Sequence, residues 1–291
     1  MVTDRASLLI TAEQLAADAG RDDQVIVDCR FNLKQPAAGR QAWEAGHIPG
    51  AFYADLDANL AASLSPTSGR HPLPAAAAFA ALLGSWGLTP NMRVIAYDNA
   101  GGGVAARLWW LLRWAGHEQA LLLDGGLQAW EGLGLELTAA QPELSAGLYP
   151  VMPGSMPVVD VVELQRGLAN GELTLTDARD AKRFAGEQEP IDSVAGHVPG
   201  AVNLPFQQHL DAAGCFKPAQ ELQALYTSAL NNQPASVACM CGSGVTACHS
   251  IFAMELAGLV SDQSNMPALY VGSWSEWIKD PQRPIAGVGQ P

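Results

Sequence analysis

"EAGHIPGAFYAD" (residues 44–55) reappears as "VAGHVPGAVNLP" (194–205), and that recurrence decides how the chain is read. Three further segments repeat in the same order. "VIVDCRF" (25–31) returns as "TLTDARD" (174–180), "VIAYD" (94–98) as "VACMC" (237–241), and "LLDGGLQAW" (122–130) as "LYVGSWSEW" (269–277). Four landmarks recurring at a nearly constant interval of about 150 residues mark a duplicated domain. The pattern predicts an N-terminal domain over 1–135, a linker over 136–158 and a C-terminal domain over 159–291. Proline and glycine punctuate the stretch between the copies, as expected where few contacts cross.

Each copy alternates short apolar runs with helical patterns. In the first, "VIVDC", "RVIAYD" and "ALLLDGG" read as strands, whereas "AAAAFAALLGSWG", "VAARLWWLLRWAG" and "LQAWEGLG" read as helices. Strands alternating with helices predict an α/β fold with a mainly parallel sheet. Continuously apolar strands predict helices on both faces of that sheet. Trp109, Trp110 and Trp114 share one helical pattern and read as core and interface packing.

The composition narrows the function classes. Of 291 residues, 48% are hydrophobic and 15% charged, which suits a soluble globular chain rather than a disordered one. A formal charge of -13 argues against binding nucleic acid or an anionic membrane. No run approaches the roughly 18 apolar residues of a membrane span. The first residues, "MVTDRASLLITAEQLAADAG", lack the pattern of a secretory signal, so a cytoplasmic location is expected. Five cysteines, three of them crowded together, fit a reduced compartment better than a disulfide framework. The one-residue gap between Cys239 and Cys241 is not the spacing of a zinc knuckle, so no metal is expected.

The crowded cysteines lie in "CMCGSGVTACHS" (239–250), between a strand-like "SVACM" and a helix-like "ACHSIFAMELAG". Cys241 therefore falls at the carboxyl edge of a parallel sheet, where open α/β sheets bind ligands. Gly242 and Gly244 let backbone N–H groups converge on one point. Such a nest, joined to a helix N-terminus, favours an anion and so a thiolate nucleophile. Cys239 and Cys248 read as small core residues.

These residues resemble the tandem-domain members of the rhodanese superfamily. The resemblance rests on "GHIPGA" and "GHVPGA", on the "DGG" and "GSW" segments, and on "CGSGVTA", and it runs from about residue 8 to 280. The loop is similar to that of 3-mercaptopyruvate sulfurtransferases. Tandem thiosulfate sulfurtransferases carry basic residues after the cysteine, where this chain has Gly242 and Ser243. The resemblance implies a catalytic C-terminal domain and an inactive N-terminal one. The repeat agrees, because Asp98 takes the place of Cys241 in the first copy.

What the resemblance implies for chemistry is a covalent double displacement. Cys241 takes sulfur from 3-mercaptopyruvate, releases pyruvate, and passes the sulfur to a small thiol, reduced thioredoxin or cyanide. No organic cofactor is implied. Backbone N–H groups of Gly242, Gly244, Val245 and Thr246 are expected to cradle the sulfur. Arg183, in "AKRFAG", matches the family's arginine for the donor carboxylate. A second family arginine falls where this chain has Ile191, in "QEPIDS". Ser243, His71 in "GRHPLP" and Asp57 in "ADLDAN" match a proton relay, with the last two supplied by the first domain. Arg179 is read as structural, as is Arg30 in the first copy. His47 and His197, paired by the repeat, share a structural reading. His117 and His209 carry no signal of their own.

Other readings remain open at the level of residues. Gly101, Gly103 and Ala106 fit G-x-G-x-x-A, a dinucleotide-binding pattern, although the duplication explains them as the first copy's loop. A phosphatase C-x5-R loop would need arginine at 247, where the chain has Ala247. A thiosulfate sulfurtransferase and a non-enzymatic rhodanese interaction module complete the alternatives.

Overall fold

The computed structural model describes residues 5–230, 236–260 and 263–287; the outer domain limits drawn at 1 and 291 lie outside them. The first domain runs β1 (Leu9–Ile10), α1 (Ala12–Ala17), β2 (Gln24–Asp28), α2 (Ala37–Ala45), β3 (Phe52–Tyr53), α3 (Ala76–Ser85), β4 (Arg93–Tyr97), α4 (Ala105–Trp114), β5 (Ala120–Leu123) and α5 (Gly126–Gly132). The second runs α6 (Val161–Asn170), β6 (Leu173–Asp177), α7 (Ala181–Ala185), β7 (Val202–Asn203), α8 (Ala219–Ala229), β8 (Ser236–Met240), α9 (Thr246–Leu256), β9 (Ala268–Leu269) and α10 (Ser273–Trp277).

The sheets are ordered β1-β5-β4-β2-β3 and β7-β6-β8-β9, and every pairing is parallel. An isolated parallel bridge from Val158 to Leu269 stands where β1 meets β5 in the first domain. The duplication read in the sequence is therefore a duplication of topology.

Period-2 alternation along the strands divides each sheet between two apolar layers. Val25, Val27, Val94, Ala96 and Leu122 point to one face, which α3 and α4 cover; Ile26, Ile95 and Tyr97 point to the other, under α1 and α5. In the second domain, Leu175, Ala238 and Met240 pack beneath Leu164, Trp274 and Trp277, while Cys239 and Leu269 face α8 and α9.

A helix that is mostly apolar all round is buried all round. That describes α9, buried from Ala247 to Leu256, and α4, buried from Ala105 to Leu112. The two helices pack against each other between the domains. Trp109 meets Phe252 edge-on, with ring centroids 4.9 Å apart. One continuous core consequently spans both domains, fixing the mutual position of groups on either side. Residues 139–152 form no helix and no strand. They lie along the first domain, where Ser145 and Tyr149 donate to carbonyls of α3 and Met152 donates to Ala115.

Residues retained in both copies hold the same local architecture. Arg30 Nε lies 2.8 Å from Asp28 Oδ2 and its Nη2 donates to the Gly46 carbonyl at 2.7 Å. Arg179 makes the equivalent bonds to Asp177 at 2.9 Å and to Gly196 at 2.9 Å. His47 stacks on Trp43, and His197 stacks on Phe184. Each histidine also exchanges backbone hydrogen bonds with a later strand-like segment, at Thr138 and Ala286 respectively. These are structural roles.

Candidate active site at the domain interface

Cys241 is the first residue after β8, at the carboxyl edge of the second sheet. Its N–H donates to Ser273 Oγ at 3.1 Å, and that hydroxyl donates to the Tyr270 carbonyl. Its carbonyl accepts from Trp274 N–H at 3.0 Å, so both backbone groups are anchored. Ser273 has φ +53°, a left-handed conformation uncommon for a residue with a Cβ. The corresponding residue of the first domain is Gly126, at φ +59°.

The loop after Cys241 depends on two glycines for different reasons. Gly244 sits at φ +77°, and a Cβ there would lie 2.6 Å from the Val271 carbonyl oxygen. Gly242 faces the other way: a Cβ on it would meet Arg70 Nη2 at 3.2 Å and both terminal nitrogens of Arg183 at 3.7 Å. Two guanidinium groups thus converge over the residue beside the thiol. Val245 and Thr246 complete the turn and open α9.

The nest expected around Cys241 is seen already occupied in the first domain. Asp98 stands at the equivalent place, and its carboxylate accepts N–H bonds from Ala100, Gly102, Val104 and Ala105 at 2.7–2.9 Å. In the second domain, Ser243 N–H donates to Cys241 Sγ at 3.4 Å, the counterpart of the Ala100 bond. The first domain's loop carries its own anion, and its donors are spent on it. A dinucleotide pyrophosphate on Gly101 and Gly103 would compete with Asp98 for those same N–H groups.

The three residues expected to form a relay meet here. Ser243 Oγ lies 2.8 Å from His71 Nδ1, and His71 Nε2 lies 3.1 Å from Asp57 Oδ1. An ionised Asp57 can only accept, so Nε2 carries the imidazole proton and Nδ1 accepts from the Ser243 hydroxyl. Burial pushes the His71 pKa down to about 3, and the nearby positive charges of Arg70 and Arg107 act in the same direction. Asp57 is half exposed, so water screens its opposing pull. Burial and the neighbouring Asp55 raise the Asp57 carboxyl above its ordinary value. His71 is therefore a neutral hydrogen-bond partner at neutral pH.

Arg183 and Asp192 supply the rest of the rim. Arg183 pairs side-on with Glu189 through Nε and Nη2, and Nη2 also reaches Asp192 Oδ2 at 3.0 Å. Asp192 Oδ1 holds Arg70 Nη1 at 2.7 Å. Ile191 lies on the rim of an adjoining cleft of about 380 Å³ and brings no charge to it. Arg107, fully buried, donates to the carbonyls of His71 and Gly244 at 3.1 and 3.3 Å. It ties the histidine of one domain to the cysteine loop of the other. The remaining cysteines are held as thiols: burial raises Cys239 and Cys248 to about 12, and moves Cys29 and Cys215 upward as well.

Every residue singled out in the sequence around Cys241 is found at this one place: Ser243, His71, Asp57 and Arg183 with the loop. Sequence reasoning missed Arg70, Arg107, Asp192 and Ser273. Adjacency to His71 is the signal that could have drawn attention to Arg70.

The sequence pattern of the Rhodanese-like domain matches residues 11–133 and again 160–280. The chain belongs to the rhodanese family. A Pseudomonas aeruginosa relative named "Probable 3-mercaptopyruvate sulfurtransferase" is 45% identical over 281 residues, covering 96% of this chain and 97% of the relative. A Mycobacterium tuberculosis relative, SseB, whose name provisionally assigns it thiosulfate sulfurtransferase activity, is 36% identical and covers 97% of both chains. The crystal structure of SseA from Escherichia coli, a 3-mercaptopyruvate sulfurtransferase of the rhodanese fold, superposes with a TM-score of 0.80 at 30% identity. That match covers 93% of this chain and all of SseA. Among the described residues no helix is long and apolar enough to cross a membrane.

Proposed function

We propose that this rhodanese is a 3-mercaptopyruvate sulfurtransferase working through a persulfide on Cys241. The carrying observation is the hydrogen-bond chain from Ser243 through His71 to Asp57, ending beside the thiol. Thiosulfate brings no S–H proton, and sulfite leaves without taking one up. 3-Mercaptopyruvate does both: its thiol loses a proton, and its departing carbon gains one.

In the step itself, the Cys241 thiolate attacks the donor sulfur. A new S–S bond forms as the donor C–S bond breaks, and the bonding pair passes to carbon as the pyruvate enolate. The proton released from the donor thiol is returned to that carbon through Ser243 and His71, leaving pyruvate and the anionic persulfide. Neutral His71 suits this shuttle, since it accepts at Nδ1 without first losing a proton. The outer sulfur of a persulfide stands one bond beyond Sγ, as the Asp98 oxygens stand one bond beyond Cγ. The N–H groups that hold Asp98 in the first domain therefore indicate the cradle for the charged sulfur in the second. A thiol acceptor such as reduced thioredoxin, or cyanide, then removes that sulfur and restores the thiolate. Five free cysteines support a reducing, cytoplasmic setting.

The test compares kcat/KM for 3-mercaptopyruvate and thiosulfate with cyanide as acceptor, in the wild type and in Cys241→Ser. Preference for 3-mercaptopyruvate, lost in the variant, is the expected result. Preference for thiosulfate would favour the second reading, to which the name of SseB points.

A further inference from the structure

We propose that Arg70, brought in from the first domain, supplies the open fork that takes the donor's carboxylate, with Arg183 as its fixed companion. The inference rests on the sulfurtransferase reading of Cys241 and names the residue that binds the non-reacting end of the donor. Arg70 and Arg183 both lie over Gly242, yet their hydrogen bonding differs in the way that matters. Arg183 has its Nε and Nη2 edge filled by Glu189, bidentate, at 2.9–3.2 Å. Among the described residues the Arg70 side chain is held through Nη1 alone, which donates to Asp192 at 2.7 Å. Its Nε is buried with no hydrogen-bond partner among the described residues, and its Nη2 is the atom nearest the space above Gly242.

A buried, unpartnered guanidinium donor is costly unless something fills it. The Nε–Nη2 edge is the one that grips a carboxylate with two parallel bonds, as Arg183 grips Glu189. An α-keto acid suits this edge: two carboxylate oxygens for the two donors, and a short carbon chain to lead toward the thiol. Asp192 bridges both arginines, so it holds the two positive groups together and fixes the orientation of the empty edge. The loop carrying Arg70 is itself anchored on the second domain. Arg70 N–H donates to Ser275 Oγ at 2.9 Å, and Gly69 packs so closely on Gly272 that a Cβ would lie 2.3 Å from its carbonyl oxygen. Carboxylate recognition and the relay histidine thus arrive on consecutive residues of one loop. Ile191 brings no charge to the same rim, whose cations are Arg70 and Lys279, and of these Arg70 is the one that lies over Gly242.

The experiment measures kcat/KM with cyanide for 3-mercaptopyruvate and for mercaptoacetone, which replaces the carboxylate by a methyl group. Both are measured in the wild type, Arg70→Ala and Arg70→Lys, together with inhibition by pyruvate. Arg70→Ala should lower kcat/KM for 3-mercaptopyruvate on the order of 10- to 100-fold, mainly through KM. Mercaptoacetone should be turned over equally by the wild type and Arg70→Ala, and pyruvate inhibition should weaken in parallel with the loss. Arg70→Lys should recover part of the loss, because an ammonium cannot present a planar fork. Unchanged pyruvate inhibition in Arg70→Ala, or an equal loss for both donors, would overturn the assignment. A wild type that forms no persulfide from 3-mercaptopyruvate would instead overturn the functional reading beneath it.

Discussion

Asp98 and Cys241 occupy one place in two copies of the same fold, each directly after the central strand, each with its carbonyl accepting an N–H from the start of a short helix. Leu127 N–H reaches Asp98 O at 2.9 Å, and Trp274 N–H reaches Cys241 O at 3.0 Å. In one copy the nest holds a permanent carboxylate; in the other it surrounds a thiol that can carry an anionic sulfur. Asp98→Ala should strand four backbone N–H donors, those of Gly102 and Ala105 buried, and lower the stability of the protein by about 2–4 kcal/mol. Urea unfolding measures the loss, and persulfide formation at Cys241 should survive in the folded fraction. Equal stability would mean that the carboxylate is not filling a structural role.

The relay makes a prediction that separates donors. Ser243→Ala removes the hydroxyl that bonds His71, and His71→Asn removes the imidazole. Each should lower kcat with 3-mercaptopyruvate by about 100-fold or more, a usual contribution of acid–base catalysis. Thiosulfate turnover, which needs no proton transfer, should fall far less. Single-turnover pyruvate release measures the chemical step directly. Equal losses with both donors would point to a disturbed loop rather than a broken relay.

Four buried histidines give the protein an acid-sensitive fold. His71 is pushed down to about 3 and His249 to about 4, with His117 and His209 lowered too, and burial is the first cause in each. A histidine whose folded value lies below its unfolded value of about 6.5 stabilises the fold fully above that pH. The contribution is lost as pH falls toward the folded value, because the unfolded chain takes up protons that the folded one refuses. The urea midpoint should therefore drop between pH 6.5 and pH 4.5. His249→Gln should flatten that dependence by about 1.4 kcal/mol per pH unit, the equivalent of one proton. The same slope in the variant would show that His249 is not one of the groups responsible.

Gly244 tests the backbone of the loop. At φ +77°, with the Val271 carbonyl in the space a Cβ would need, Gly244→Ala must shift the chain. Strain of this kind costs about 1–3 kcal/mol. Because the displaced segment holds Cys241 and Ser243, the rate of persulfide formation should fall more than the melting temperature does. A variant with full activity would show that the loop tolerates rearrangement.

Much of this was legible in the sequence because duplication acts as an internal alignment. It exposed the two domains, set Cys241 against Asp98, and marked His47 with His197 and Arg30 with Arg179 as shared structural parts. The α4 and α9 patterns were readable as helices, but their mutual packing was not: a mostly apolar helix announces burial without naming its partner. Asp57, His71 and Ser243 were recognised only through resemblance, since residues from different domains meet by tertiary packing that no local spacing encodes. Arg70 escaped for the same reason. Its value depends on an unfilled edge and on Asp192, far along the chain, and neither is written in "GRHPLP".

The most direct test is the mass of the Cys241 peptide after the wild-type protein meets 3-mercaptopyruvate with no acceptor present. The account predicts one added sulfur atom on Cys241, an equal amount of pyruvate released, and loss of the added mass on cyanide treatment. An unmodified Cys241, or sulfur found on another cysteine, would contradict it.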